Sequence, residues 1–100
     1  RAALEQAELV IVQDAFSGTD TVPYADVLLP AASWGEKDGT VTNSERCITR
    51  VRKAVEPPGQ ARADWWIARE VARRLEARLA PQEGAGLFAF DTPAQIFDEH

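Results

Sequence analysis

The most regular patterning in the chain begins at Asp64, where Ala68, Val71, Ala72, Leu75 and Leu79 recur at intervals of three and four. Arg69, Glu70, Arg73, Arg74, Glu76 and Arg78 fill the positions between them. This is the period of a long amphipathic helix with its apolar stripe turned to a core. Asp64 is expected as its N-cap, because a carboxylate there can accept from the free amides of the first turn, and Pro81 follows its C-terminal end. Upstream the pattern is different. Leu9-Val10-Ile11-Val12 is a β-branched apolar run without alternation that stops at Gln13-Asp14, and Val27-Leu28-Leu29 is a second run that stops at Pro30. Such runs suit strands buried on both faces of a parallel sheet, and the segment between them is long enough for a tight crossover that makes them parallel neighbours.

The polar stretches divide the chain further. Ala15 to Pro23 is rich in turn formers and is expected as a loop, with a helical turn around Val22 to Ala25. Trp34-Gly35-Glu36-Lys37-Asp38-Gly39 reads as a turn in which Gly39 supplies a positive φ. Thr40 to Thr42 and Arg46 to Val51 have the β-branched content of two short strands, joined by Asn43-Ser44-Glu45 as a hairpin loop. Pro57-Pro58-Gly59 closes that unit, since neither proline can donate to a ladder. Gly84-Ala85-Gly86 is expected to be a flexible connection, and Thr92-Pro93-Ala94-Gln95 combines an N-cap, a proline at the first helical position and a capping-box glutamine. A second helix is expected from there to His100. The pattern predicts an α/β fragment: a parallel, Rossmann-like sheet segment with a β-hairpin and one long amphipathic helix over residues 1–80, then a linker and the start of another helix over 81–100.

Composition narrows the classes of function. One hundred residues make one small domain at most, or a piece of a larger one. The net charge of -5 argues against a general nucleic-acid binder, which needs a cationic surface to neutralise phosphates, and against an electrostatic membrane contact. No apolar run approaches the ~20 residues that span a bilayer. With no methionine and no leader-like segment ahead of Leu4, the sequence is expected to be a soluble, excised piece of a longer protein. A single cysteine, Cys47, excludes an internal disulfide and a cysteine-based cluster built from this segment alone, and a reducing compartment is the simplest setting.

Candidate chemistry is sparse. In open α/β sheets ligands sit beyond the carboxyl ends of strands, where Asp14 could accept paired hydrogen bonds from ribose hydroxyls or a guanine edge. The simpler reading of Asp14 is a loop aspartate that caps nearby N–H groups. For Asp64, N-capping a helix already accounts for the residue type. Lys37, flanked by Gly35 and Gly39, could meet a phosphate or base edge, or could be merely solvated. Arg46, Arg50, Arg52 and Lys53 form a basic cluster, read first as a solvated strand face or a contact with an acidic neighbouring domain and second as a polyanion site. Ser17, Ser33 and Ser44 lack the setting of a nucleophile elbow, and no metal-ligand constellation is present. Cys47 reads as a half-buried strand residue, and Trp65 and Trp66 as core and rim respectively.

Three stretches together resemble one family: Val10-Ile-Val-Gln-Asp-Ala-Phe; Tyr24-Ala-Asp-Val-Leu-Leu-Pro-Ala-Ala-Ser-Trp-Gly-Glu-Lys-Asp-Gly-Thr-Val-Thr-Asn-Ser-Glu-Arg; and Pro58-Gly-Gln-Ala-Arg-Ala-Asp-Trp-Trp. They are similar to the catalytic subunit of the prokaryotic molybdopterin oxidoreductases, which include nitrate reductases and formate dehydrogenases. The resemblance covers roughly residues 4–80. Within the family, Trp34 to Arg46 and Ala63-Asp-Trp-Trp-Ile look most like the assimilatory nitrate reductases, and Phe88 to His100 is compatible with that. Cys47 stands where many relatives carry arginine.

The resemblance implies a bis(molybdopterin guanine dinucleotide) molybdenum cofactor, with an iron–sulfur cluster elsewhere in the intact subunit. The molybdenum ligand and the cluster cysteines would both precede this region. It implies cofactor contacts at Gln13, Asp14, Lys37 and Asp64, leaving open which carboxylate meets guanine and which ribose. Oxygen-atom transfer from nitrate is the implied reaction of the whole enzyme, and no catalytic residue is expected in this stretch. Partners would be the remaining domains of the same subunit and an electron-donor protein or domain, with no nucleic acid and no membrane, in a cytoplasmic enzyme. Formate oxidation by a related subunit is one alternative, and a non-catalytic α/β scaffold module is the other.

Overall fold

The computed structural model describes residues 1–79 and 86–99. The Gly84-Ala85 part of the anticipated connection, Pro81, the junction at 80/81 and His100 lie outside the described residues. Strand β1 (Ile11–Asp14) pairs in parallel with β2 (Val27–Pro30), with Ile11 opposite Val27 and Asp14 opposite Pro30. Val10 sits just before β1, and its carbonyl accepts from the Asp26 and Val27 amides while its own N–H donates to Asp26 Oδ2 at 2.8 Å. The crossover contains the expected helical turn, a 3₁₀ segment at Val22–Tyr24 with Pro23 as its second residue.

Beyond β2 the ladder continues by one residue. Ala31 bridges Arg62 in parallel, Arg62 N–H donates to the Pro30 carbonyl at 3.1 Å, and Ala32 N–H donates to the Arg62 carbonyl at 2.8 Å. The chain therefore runs β1, β2 and the Ala61–Ala63 segment side by side, and the long helix α2 (Asp64–Leu79) rises directly from the third. The anticipated mixed α/β arrangement is present, with a parallel sheet of two strands.

A separate antiparallel hairpin joins β3 (Gly39–Thr42) to β4 (Ile48–Val51). Its turn is displaced by one residue from the expected Asn43-Ser44-Glu45. Asn43 and Cys47 still pair through the Asn43 N–H and Cys47 carbonyl, so the loop is Ser44-Glu45-Arg46, and Arg46 occupies the left-handed region with φ 62°. A three-residue loop closing on a left-handed residue is a common hairpin form. Asn43 Oδ1 steadies it by accepting from the Glu45 and Cys47 amides at 3.0 and 2.9 Å. Cys47 is thus an exposed turn residue and not a half-buried strand residue. The positive φ expected at Gly39 is found instead at Arg46 and Gly59, because Gly39 has already entered the strand.

Helix α3 (Pro93–Glu99) starts with the anticipated capping box: Gln95 Oε1 accepts from the Thr92 N–H at 3.0 Å, and Thr92 Oγ1 accepts from the Gln95 N–H at 3.3 Å. A four-residue helix α1 (Ala2–Glu5), which the sequence pattern did not indicate, precedes β1.

Burial departs most from the pattern. Among the described residues the buried apolar ones are Val10, Val12, Ala31, Ala32, Ala61 and Ile67. Leu9, Ile11, Val27 and Leu28 are exposed, so the parallel strands are not covered on both faces, and Val71, Leu75 and Leu79 of the expected helix stripe are exposed as well. Trp65 and Trp66 are both half-buried, where core and rim were expected. The Cα radius of gyration of 16.2 Å exceeds the ~13 Å of a compact chain of this length. Amphipathic surfaces have formed according to local rules, but nothing among the described residues packs against several of them.

The buried helix residue that the periodicity assigned to the solvent face is Arg69, only 8% exposed in its side chain. Its guanidinium lies over Trp65, one helical turn earlier, and donates to Asp91 Oδ1 at 2.8 Å, the Phe90 carbonyl at 2.9 Å and Glu70 Oε1 at 3.0 Å. Arg73 joins it through the Phe88 carbonyl at 2.8 Å. Two arginines thereby tie the Phe88–Asp91 segment to α2.

Candidate functional site

The carboxyl ends of the parallel segments carry the polar residues singled out above. Gln13 is the third residue of β1, Lys37 lies beyond β2 after the 3₁₀ turn Trp34–Glu36, and Asp64 is the first residue of α2. The turn that presents Lys37 is held at both ends. Ser33 N–H donates to Glu36 Oε2 at 2.8 Å, and the Gly35 carbonyl accepts from the Ala54 and Val55 amides beyond the hairpin.

These elements bring three side chains to one point. Gln13 Nε2 donates to Asp64 Oδ1 at 2.8 Å, and Lys37 Nζ donates to Asp64 Oδ2 at 2.5 Å. The N-cap expected at Asp64 belongs instead to Ala63, whose carbonyl accepts from the Trp66 and Ile67 amides. One position further on, the Asp64 side chain is free to turn away from the helix and meet Lys37 and Gln13. The Lys37 hydrogen bond holds the Asp64 carboxyl below its ordinary value of 3.8; burial opposes this, and the Gln13 hydrogen bond, the Lys37 charge and the Asp64 backbone amide add to it. The positive end of the helix acts in the same direction.

Asp14 stands apart from this cluster. Its Oδ1 accepts from the Phe16 N–H at 3.0 Å, the local cap that was the simpler reading of the residue. Neighbouring positions on a strand point to opposite faces, so the sheet directs Gln13 and Asp14 to different sides. Three of the four candidate residues converge, and the fourth lies beside them on the same strand end.

The cluster retains binding capacity. A carboxylate offers about four lone-pair sites, of which Asp64 uses two, and its side chain is 50% exposed. Lys37 uses one of three N–H donors. A solvated hollow of about 410 Å³ adjoins Lys37, walled by Arg62, Trp65, Trp66, Lys53 and Pro93 among others. The ring centroid of Trp34 lies 5.5 Å from Lys37 Nζ. Sequence reasoning passed over Trp34, although its place three residues before Lys37 at the head of a tight turn was the available signal. Among the described residues no group of three or more histidine, cysteine or acidic side chains could hold a metal ion, and no helix is long and apolar enough to cross a membrane. The basic residues Arg46, Arg50 and Arg52 are exposed on the hairpin and its exit, while Lys53, also exposed, walls the hollow.

Residues 1–74 match the family model described as molybdopterin oxidoreductase. The chain belongs to that family. A nitrate reductase of Klebsiella oxytoca is 48% identical over 98 residues, covering 98% of this chain and 10% of the relative. A nitrate reductase of Synechocystis is 55% identical over 75 residues, covering 75% of this chain and 10% of the relative. The alpha subunit of an F420-dependent formate dehydrogenase of Methanococcus maripaludis is also 48% identical over 98 residues, covering 97% of this chain and 13% of the relative. The chain thus spans about a tenth of the length of these curated relatives. As a member of the molybdopterin oxidoreductase family it is a segment of oxidoreductase sequence, and the family implies a molybdopterin-type cofactor.

Proposed function

We propose that this chain is the segment of a molybdenum oxidoreductase large subunit that holds a guanine dinucleotide end of a bis(molybdopterin guanine dinucleotide) cofactor, and that the intact enzyme reduces nitrate to nitrite. The observation that carries the reading is the meeting of Gln13 and Lys37 on Asp64 at the carboxyl edge of parallel segments, where α/β folds receive nucleotides. The donor set fits a guanine. Its Watson–Crick edge offers two N–H donors beside a carbonyl oxygen, which suits a half-exposed carboxylate with lone pairs to spare and an ammonium with N–H groups to spare. Asp14 keeps Oδ2 for a ribose hydroxyl while Oδ1 closes its turn.

When bound, the molybdenum centre supplies the oxygen-atom transfer chemistry. Gln13, Asp14, Lys37 and Asp64 bind and orient the nucleotide tail and take no part in bond making. In this reading the two parallel strands belong to a larger Rossmann-like sheet to which residues 1–80 contribute, and residues 81–100 lead into a following helix. The exposed apolar faces of β1, β2 and α2 are covered by the remaining domains of the same subunit. An iron–sulfur cluster elsewhere in the subunit and an electron-donor protein complete a cytoplasmic enzyme. The segment on its own is inactive.

Formate oxidation is the second reading, favoured by a formate dehydrogenase relative at the same 48% identity as a nitrate reductase. Assay of the cofactor-loaded intact subunit separates the two. Nitrate turnover with a chemical reductant and no formate oxidation with an electron acceptor is the expected result; the reverse establishes the formate reading. Neither activity in the loaded protein would leave a scaffold module.

A further inference from the structure

We infer that Trp34 is the stacking platform for the guanine base held at Asp64, an inference that rests on the guanine reading above. The Trp34 side chain is a large indole left 61% exposed. Its described contact is with Lys37, whose ammonium also bonds Asp64 at 2.5 Å, so the indole centre lies within about 8 Å of the carboxylate. A base engaged edge-on by Asp64 and Lys37 would extend over this distance and present a π-face to whatever flanks the pair. Edge contacts to a half-exposed carboxylate compete with water and yield little on their own. An aromatic surface beside them excludes that water and adds dispersion with any base, which is why indoles serve as base platforms. Trp34 is also firmly placed. It opens the 3₁₀ turn that Glu36 closes onto Ser33, and the Gly35 carbonyl pins the turn to Ala54 and Val55.

The experiment uses the intact holo-subunit labelled with 5-fluorotryptophan, the Trp34 resonance being the one missing from Trp34→Phe. That resonance is expected to shift when the cofactor is stripped, and Trp34→Leu is expected to lose guanine nucleotide on prolonged dialysis at least about fivefold faster than wild type. Trp34→Phe, which keeps an aromatic face, should stay within about twofold of wild type. A Trp34 signal indifferent to the cofactor, or Trp34→Leu retaining nucleotide like wild type while Asp64→Ala loses it, overturns the platform and leaves the guanine reading standing. Undiminished retention in Asp64→Ala overturns the guanine reading itself. A Trp34→Leu subunit that does not fold leaves the fluorine shift and the Phe variant to decide.

Discussion

Lys37 and Asp64, twenty-seven residues apart, are joined by a 2.5 Å contact that ties the loop after the second parallel strand to the first residue of the long helix. Gln13 meets the other oxygen of the same carboxylate from the end of the first strand. With side chains 25% and 50% exposed, the Lys37–Asp64 pair adds little to stability, because water screens it and two side chains must be ordered to make it. Its consequence is positional: it fixes a charged acceptor where the sheet opens.

The Asp64 carboxyl should titrate below 3.8, chiefly because the Lys37 hydrogen bond favours its ionised form. A carboxylate whose folded pKa is depressed stabilises the fold above its unfolded value and loses that contribution as pH falls through the folded one. The stability difference between wild type and Asp64→Asn should therefore be constant from neutrality to about pH 5 and shrink below it. Carbon-detected titration of Asp64 checks the midpoint directly, and a value at or above 3.8 would count against the geometry.

Lys37→Met removes the largest cause of that shift and should return the midpoint toward 3.8. It should cost less than about 1 kcal/mol of stability, as the loss of a part-exposed ion pair does. Nucleotide retention by the intact subunit should nonetheless fall several-fold, measured as guanine nucleotide released per subunit. A large loss of stability with unchanged retention would make the lysine structural.

Arg69→Ala should destabilise the protein by about 1–2 kcal/mol, since it removes hydrogen bonds to Glu70, Asp91 and the Phe90 carbonyl at once while the exposed Asp91 and the part-exposed Glu70 keep Arg73 and Arg74 as partners. Arg69→Lys should recover little, because one ammonium cannot reproduce the planar fork over Trp65. Denaturant midpoints of the cofactor-free protein read both, and a change under about 0.5 kcal/mol for the alanine variant, the range of ordinary surface substitutions, would contradict the arrangement.

At the hairpin, Arg46→Gly should stabilise by about 0.5 kcal/mol, relief of the left-handed φ of 62° being partly offset by the larger unfolded-state entropy of glycine. Slower hydrogen exchange at the Arg46 and Cys47 amides is the expected sign. Faster exchange would mean that the arginine side chain holds the turn.

Elements whose signal is local were legible in the sequence. The two strand runs, the 3₁₀ turn around Pro23 and the Thr92–Gln95 capping box depend on neighbours within a few residues, and all appear where expected. The convergence of Gln13, Lys37 and Asp64 depends on a parallel bridge from Ala31 to Arg62 that no periodicity encodes. Those residues could be chosen together only through family resemblance. Burial escapes the sequence pattern for a related reason. Periodicity assigns Val71 and Leu75 to an apolar face without saying what covers it, and Arg69 to a polar face without knowing that Asp91 and Phe90 arrive from downstream. The positive φ at Arg46 follows from loop length, which Asn43 sets through its side chain.

The guanine reading stands or falls on Asp64. Purified intact subunit carrying Asp64→Ala should be compared with wild type for guanine nucleotide released by acid hydrolysis and for molybdenum, per subunit. Both should fall together and severely, because the alanine leaves Lys37 and Gln13 without the acceptor that gathers them. Asp64→Ala protein with wild-type amounts of guanine nucleotide and molybdenum would contradict it.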